Sequence, residues 1–292
     1  TMAKKSDQGP HGIVVIDKPA EWTSHDVVAK SRSVLGTRKV GHSGTLDPDA
    51  TGVLVLGVGK ATRLLRFLTE LGKSYVGEIA FGVETSTLDA AGEITATYDM
   101  SGVTEEQVRN AVVDLTGPIM QIPPMVSAIK IDGKRLHELA REGIEVERQP
   151  RPVNVHRFDI EPTAESGVWR ADIECSSGTY IRTIAADLGI ALGGGAHLRN
   201  LRRTAVGGVT LDQAGTIEEP TLLPISAAVS HLPQCVVDNE IAVLVSHGRV
   251  LSLETLRVEG EGPWAVLTKF GELLAVYESH RDGAKPSVVI PQ

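Results

Sequence analysis

KVGHSGTLDPDATGVLVLG, residues 39 to 57, holds four glycines, a histidine, a serine, two threonines and two aspartates in nineteen residues, and closes on an apolar run. Pro48 disfavours helical geometry at Asp47, and Gly44 and Gly52 permit sharp backbone paths, so the polar part reads as a stiff loop. The apolar end, GVLVLGVG, reads as a buried strand. Asp47 offers a nucleophile, a base or a metal ligand; Asp47 and Asp49 serve equally well as turn formers that bond their own backbone. A phosphate-cradling loop would end in GKS or GKT, which this one lacks. His42, Asp47 and Asp49 lack recognisable metal-site spacing.

Outward from this loop, GIVVIDKP from Gly12 predicts a strand closed by Pro19. Ser24 is expected to cap a helix over SHDVVAKSRSVLG that Gly36 ends. KATRLLRFLTELG predicts a helix and KSYVGEIAFGV a strand with alternating faces. Thr104 and Gln107 stand in capping-box register before a helix that ends at Gly117. Residues 121–151 are charged, with prolines at either end and a short helix near Lys134 to Glu142, and read as an excursion from the domain. VWRADIECSSGTYIRTIAADLGIALGGG predicts a strand, a turn and a helix from about Thr179. Prolines at 220, 224 and 233 mark a boundary near residue 220, beyond which AVLTKFGELLAVYE and SVVIP predict a small β-rich module. The pattern as a whole is a mixed α+β domain with a small β domain appended.

With 292 residues, 41% of them hydrophobic and 4% aromatic, the chain has the composition of a soluble globular protein with an aliphatic core. No apolar run approaches the roughly 20 residues that span a bilayer. TMAKKSDQGPHG lacks the apolar stretch of a signal peptide, Thr1 before Met2 reads as an expression scar, and residues 1–11 are expected to be disordered. Cys175 and Cys235 form no CxxC pair, so the expectation is a reduced, cytoplasmic protein. The net charge of −8 is uneven: residues 212–262 hold eight acids against Arg249 and Arg257, a net of −6, and the rest of the chain is near neutral.

Three further features bear on chemistry. Arg182, at a helix start, reads either as an ordinary surface arginine or as a bidentate partner that keeps a buried aspartate ionised. Tyr75 reads as half-buried core or as a stacking platform. The cations of the excursion (Lys130, Lys134, Arg135, Arg141) are diluted by acids at 132, 138, 142, 145 and 147, whereas HLRNLRR, with Arg199, Arg202 and Arg203, is undiluted and is weighted towards phosphate contact.

Taken in order, GIVVIDKPAEWTSHDVV, KVGHSGTLDPDATGVLVLGVGKATR, KSYVGEIAFGVETSTLDAAG, QIPPMVSAIKIDGKRLHELAREG and CSSGTYIRTIAADLG followed by AHLRNLRRTAVG resemble the family of bacterial tRNA pseudouridine-55 synthases. The resemblance runs from about residue 12 to 210; the C-terminal part is only weakly similar to the small β domain, PUA, that such enzymes carry. It implies a catalytic domain over 12–219 with a mixed, largely antiparallel sheet, flanking helices and a thumb-like insertion at 121–151, and a PUA-like domain over 220–292. It further implies an isomerase without metal or cofactor, acting on the T-arm of tRNA after flipping out the target uridine. Asp47 matches the family's essential aspartate, attacking C6 of the base or C1′ of the ribose. Arg182 matches its paired arginine. Tyr75 matches the tyrosine that stacks on the base and helps remove the C5 proton; with an ordinary pKa of about 10, stacking is its simpler role.

His42 matches a residue that replaces the lost stacking, and Tyr180 and Leu201 match positions lining the uracil pocket. Lys18 is expected to contact RNA or buttress the loop, and Lys130 and Arg202 to contact RNA. The chain departs from the family pattern at Val126, where relatives often carry tyrosine, and in the acidity of its C-terminal part. A monomer acting without an obligatory protein partner and away from membranes fits best, although the resemblance extends to guide-RNA-dependent relatives. Two other classes are a tRNA-folding chaperone without catalysis, and a glycoside-cleaving enzyme built on Asp47 and Asp49, which would need a second carboxylate at a suitable separation.

Overall fold

A computed structural model describes residues 9–127, 129–131, 134–144 and 146–291. Residues 1–8, most of the segment expected to be disordered, lie outside the described residues; His11 beyond them accepts a hydrogen bond from Lys60 N at 3.3 Å. The chain divides into two compact units, the first built from residues 1–48, 53–70 and 207–292 and the second from residues 49–52 and 71–206.

In the first unit the expected opening strand is Gly12–Lys18, paired antiparallel with Leu222–Leu223. The strand of the Gly-rich stretch, Thr51–Val58, is flanked by Val40–His42. Both apolar runs are buried over nearly their whole length, as strands covered on two faces must be. The helix Ser24–Val34 contributes Val27 and Val28 to a core that includes Val14, Ile16, Leu54, Leu56 and Val58. Its cap differs from expectation. Thr23, not Ser24, is the capping residue, in a reciprocal box with Asp26, because Asp26 stands three positions after Thr23. The expected helix over KATRLLRFLTELG begins as a 3-10 helix, Gly59–Leu64, and only Leu65–Thr69 is α-helical.

The C-terminal part is the expected β-rich module. Its five strands run in the order Gln234–Val237, Trp264–Thr268, Leu273–His280, Gly283–Val289, Leu251–Ser252, around a core with Trp264 and Tyr277. Two cationic side chains tie this module to the 3-10 helix: Lys60 Nζ donates to Pro291 O at 2.7 Å and Arg63 to Val289 O at 2.6 Å.

The second unit is an antiparallel sheet in the order Ala196–Val206, Lys73–Phe81, Val168–Cys175, Arg151–Pro162, Gly117–Gln121. Thr51 and Gly52 run parallel to Arg202 and Arg203. Gly52 has φ +104°, and a Cβ there would meet Arg203 O at 2.1 Å, so only glycine fits. Helices Glu105–Asp114 and Ile181–Ala191 cover the sheet, and Val108, Ile184 and Leu188 pack on Ile79, Val155 and Ile173. The Thr104–Gln107 capping box is present. The excursion holds a short hairpin, Lys130–Ile131 with Lys134–Arg135, and the helix Leu136–Arg141.

Candidate active site

The expected site residues fall into two groups, one in each unit. In the first unit Asp47 is half-buried on the loop after Val40–His42; Asp49, which belongs to the second, is exposed. Ser24 and Lys18 hold this loop on either side of Asp47. Ser24 Oγ donates to Leu46 O at 3.1 Å and accepts from Leu46 N at 2.9 Å. Lys18 is fully buried, and its ammonium donates to the carbonyls of Pro48 (2.8 Å), Trp22 (2.6 Å) and Pro19 (2.8 Å). A buried ammonium needs such acceptors, and here one of them is the residue after Asp47. His42 is half-buried, accepts from Gly44 N at 3.3 Å through Nδ1, and meets the His25 ring edge-on at 5.6 Å.

In the second unit Tyr75 stands on the Lys73–Phe81 strand, between Ile173 and Arg203 of the flanking strands, and packs with Leu201 against the core. Leu201 Cδ1 reaches the backbone at Gly77, where a Cβ would stand 3.4 Å away. The helix expected from about Thr179 starts at Ile181, with Tyr180 as its capping position and no side-chain cap bond. Gln121, 2% exposed, holds this backbone from outside the helix. Its side-chain amide donates to Tyr180 O at 3.1 Å and accepts from Tyr180 N at 2.8 Å.

Arg182 is buried at 4% exposure, not on the surface. Its Nη1 donates to Thr87 O at 3.0 Å and its Nη2 to Val126 O at 2.9 Å, and Nε lies 3.6 Å from Asp89 Oδ2. Because Val126 engages Arg182 through its carbonyl, the departure from tyrosine at that position leaves this bond intact. Arg202 is half-buried and donates to Thr51 Oγ1 at 3.2 Å. The side chain of Lys130 lies outside the described residues.

The reading of HLRNLRR as undiluted charge is corrected at Arg199 and Arg203. The segment is a strand, and Arg199 is held by Glu78 on the neighbouring strand, 2.7 Å from its Nε, and by Glu165 in the turn before Val168, while Arg203 is 2% exposed. The diluting acids come from elsewhere in the sequence, so a linear reading of charge missed them. Lys73, 8% exposed, donates to Leu71 O at 2.6 Å; burial, with the Arg203 charge nearby, pulls its pKa down to about 8. Burial likewise pushes the Cys175 thiol up to about 11.

Sequence reasoning missed Ser24, Asp89 and Gln121 as members of this framework. Asp89 lies within TSTLDAAG, Gln121 opens QIPP, and Ser24 stands where a helix cap is expected, so each carries a signal but the sequence shows no spatial partner. Among the described residues no group of three His, Cys, Asp or Glu could hold a metal ion, and no helix is long and apolar enough to cross a membrane.

Comparison with known proteins adds to this geometry. Residues 32–181 match the family described as TruB family pseudouridylate synthase, N-terminal domain, and residues 182–232 match the tRNA pseudouridylate synthase B C-terminal domain. The chain is 48% identical to the tRNA pseudouridine synthase B of Streptomyces griseus, over 96% of this chain and 97% of that one. It is 45% identical to the enzyme of the same name from an Arthrobacter species, over 95% and 96%. Among solved structures it is similar to a Cbf5-Nop10-Gar1 complex at 25% identity and a TM-score of 0.72, covering 96% of this chain and 85% of that one. An H/ACA RNP bound to a substrate RNA containing 2′-deoxyuridine, at 22% identity and a TM-score of 0.73 over 99% and 92%, shares the fold.

Proposed function

Because the chain belongs to the TruB family of pseudouridylate synthases, we propose that it isomerises uridine 55 in the T-loop of tRNA to pseudouridine, with Asp47 as the nucleophile. The observation that carries the proposal is similarity at 45–48% identity, nearly end to end, to relatives named for this reaction. The pinned loop around Asp47 supports it, since a nucleophile works best on a backbone that does not wander.

The chemistry asks for four events. The target uridine leaves its stack, at a cost of a few kcal/mol, and the ring of His42 fills the gap. The Asp47 carboxylate attacks the nucleoside at C6 of the base or C1′ of the ribose, and the bond between N1 and C1′ breaks. The uracil turns and C5 bonds to C1′, displacing the Asp47 ester where C1′ was attacked; where C6 was attacked, the bond from Asp47 to C6 breaks as the C5 proton leaves, and on either route N1 takes up a proton. The proton on C5 then leaves, with Tyr75 stacked on the base and helping to remove it. Tyr180 and Leu201 line the uracil pocket. Arg182 serves the reaction as the family's paired arginine, and its ties to Thr87, Val126 and Asp89 keep the guanidinium from turning away. Lys18 holds the loop, and Arg202 and Lys130 meet the RNA backbone.

The catalytic domain of this reading spans 12–219, with the thumb at 121–151 and the PUA-like domain at 220–292. The enzyme acts as a cytoplasmic monomer without guide RNA or protein partner. Purified chain mixed with unmodified T-arm RNA tritiated at C5 of the target uridine is expected to release the label unaided. Affinity should fall steeply with salt, as Lys and Arg contacts release counterions. No release from either the T-arm or the whole tRNA overturns the proposal.

A further inference from the structure

We propose that Ser24 is a positioning residue for Asp47, acting on the peptide that precedes the aspartate; this rests on Asp47 being the nucleophile. A serine at a helix start ordinarily spends its hydroxyl on the cap. Here the cap is supplied one residue earlier: Thr23 Oγ1 accepts from Asp26 N at 3.0 Å, and Asp26 Oδ2 accepts from Thr23 N at 2.9 Å. Ser24 Oγ is thereby released for the loop, where it donates to Leu46 O at 3.1 Å and accepts from Leu46 N at 2.9 Å.

Two bonds from one hydroxyl to the N–H and C=O of a single residue fix that residue in rotation as well as in position. Ser24 is 1% exposed and Leu46 4%, so water does not stand ready to replace them. Lys18 holds Pro48 O on the far side at 2.8 Å. Asp47 is therefore bracketed by two anchors from one continuous piece of chain, the end of the first strand and the start of the helix after it. Loss of the Ser24 hydroxyl would leave two buried backbone groups unpaired, and the loop would shift to satisfy them. A displacement on the order of 1 Å costs a reaction about 100-fold.

The test measures single-turnover pseudouridine formation and tRNA affinity for wild type, Ser24→Ala, Ser24→Thr, Ser31→Ala and Asp47→Asn, with thermal unfolding of each. Ser31 is the matched control, a buried serine on the same helix whose Oγ has no hydrogen-bond partner among the described residues. Ser24→Ala should react about 10- to 100-fold more slowly while binding tRNA within about two-fold of wild type. Ser24→Thr should recover most of the rate, and Ser31→Ala should match wild type. Should Ser24→Ala fail to fold, Ser24→Cys, equal in size and a weak donor, is expected to show the same loss of rate at unchanged affinity. A Ser24→Ala rate near wild type, a loss confined to affinity, or an equal loss in Ser31→Ala overturns the proposal. An active Asp47→Asn overturns the nucleophile instead, so the two failures are distinguishable.

Discussion

Arg182 and Arg199 carry the same charge and the same fork of donors, and the second unit uses them in opposite ways. At the helix start the Arg182 side chain is 5% exposed and donates to two carbonyls beside one carboxylate, Asp89. On the strand face the Arg199 side chain is 27% exposed and lies among carboxylates, Glu78 and Glu165. Arg157 repeats the second pattern, with Asp159, Asp172 at 2.7 Å and Glu174 at 3.0 Å. Both patterns raise no alarm in a sequence. Burial separates them: a buried fork is hard to replace because its buried partners would be left without it, while a half-buried fork competes with water and salt.

The contrast is broken most readily at its buried end. Arg182→Met should cost about 3 kcal/mol of unfolding free energy, the lower range for removing one partner of a buried pair, and abolish measurable turnover. Arg182→Lys should recover less than half of either, since an ammonium cannot reproduce the fork. Denaturant unfolding and tritium release check both. A stability within about 1 kcal/mol of wild type would remove the distinction between the two regions.

Lys73 sharpens the comparison through pH. Burial holds its pKa at about 8, below the ordinary 10.5, so between those values the unfolded chain binds the proton and the folded chain does not. The contribution of this position to stability therefore rises as pH climbs from about 8 to about 10.5. Relative to Lys73→Met, wild type should gain stability between about pH 8 and about pH 10, measured by urea unfolding at each pH. A constant gap would mean that the ammonium is not desolvated.

The smallest effects belong to the half-buried forks. Arg157→Gln should change unfolding free energy by about 1 kcal/mol or less, and by less still in high salt. Arg199→Gln should leave catalysis at saturating tRNA unchanged, which calorimetry and single-turnover rates can follow together.

Local structure was legible where neighbouring residues determine it. The apolar runs at Gly12–Lys18 and Thr51–Val58 read as strands, and Thr104 with Gln107 as a capping box, because each pattern is complete within a few residues. Two adjacent hydroxyls, Thr23 and Ser24, competed for one cap, and only the position of Asp26 decides between them. The helix Asn239–Ser246, capped by Asp238, went unread amid the expectation of a β module. At the candidate site the residue types of the Asp47 loop were visible, but their supports were not. Leu46 meets Ser24 across 22 positions, Arg182 meets Thr87 across 95, and Glu78 meets Arg199 across 121. Pairings so distant depend on the sheet order, which local patterns do not encode.

The proposed chemistry turns on Asp47. A crystal structure of the chain with T-arm RNA carrying 5-fluorouridine at the target position tests it most directly. The fluorinated base should lie flipped out against the Asp47 carboxylate, with the ring of Tyr75 on its face; a base left stacked in the loop, or seated against Asp49 instead, would contradict it.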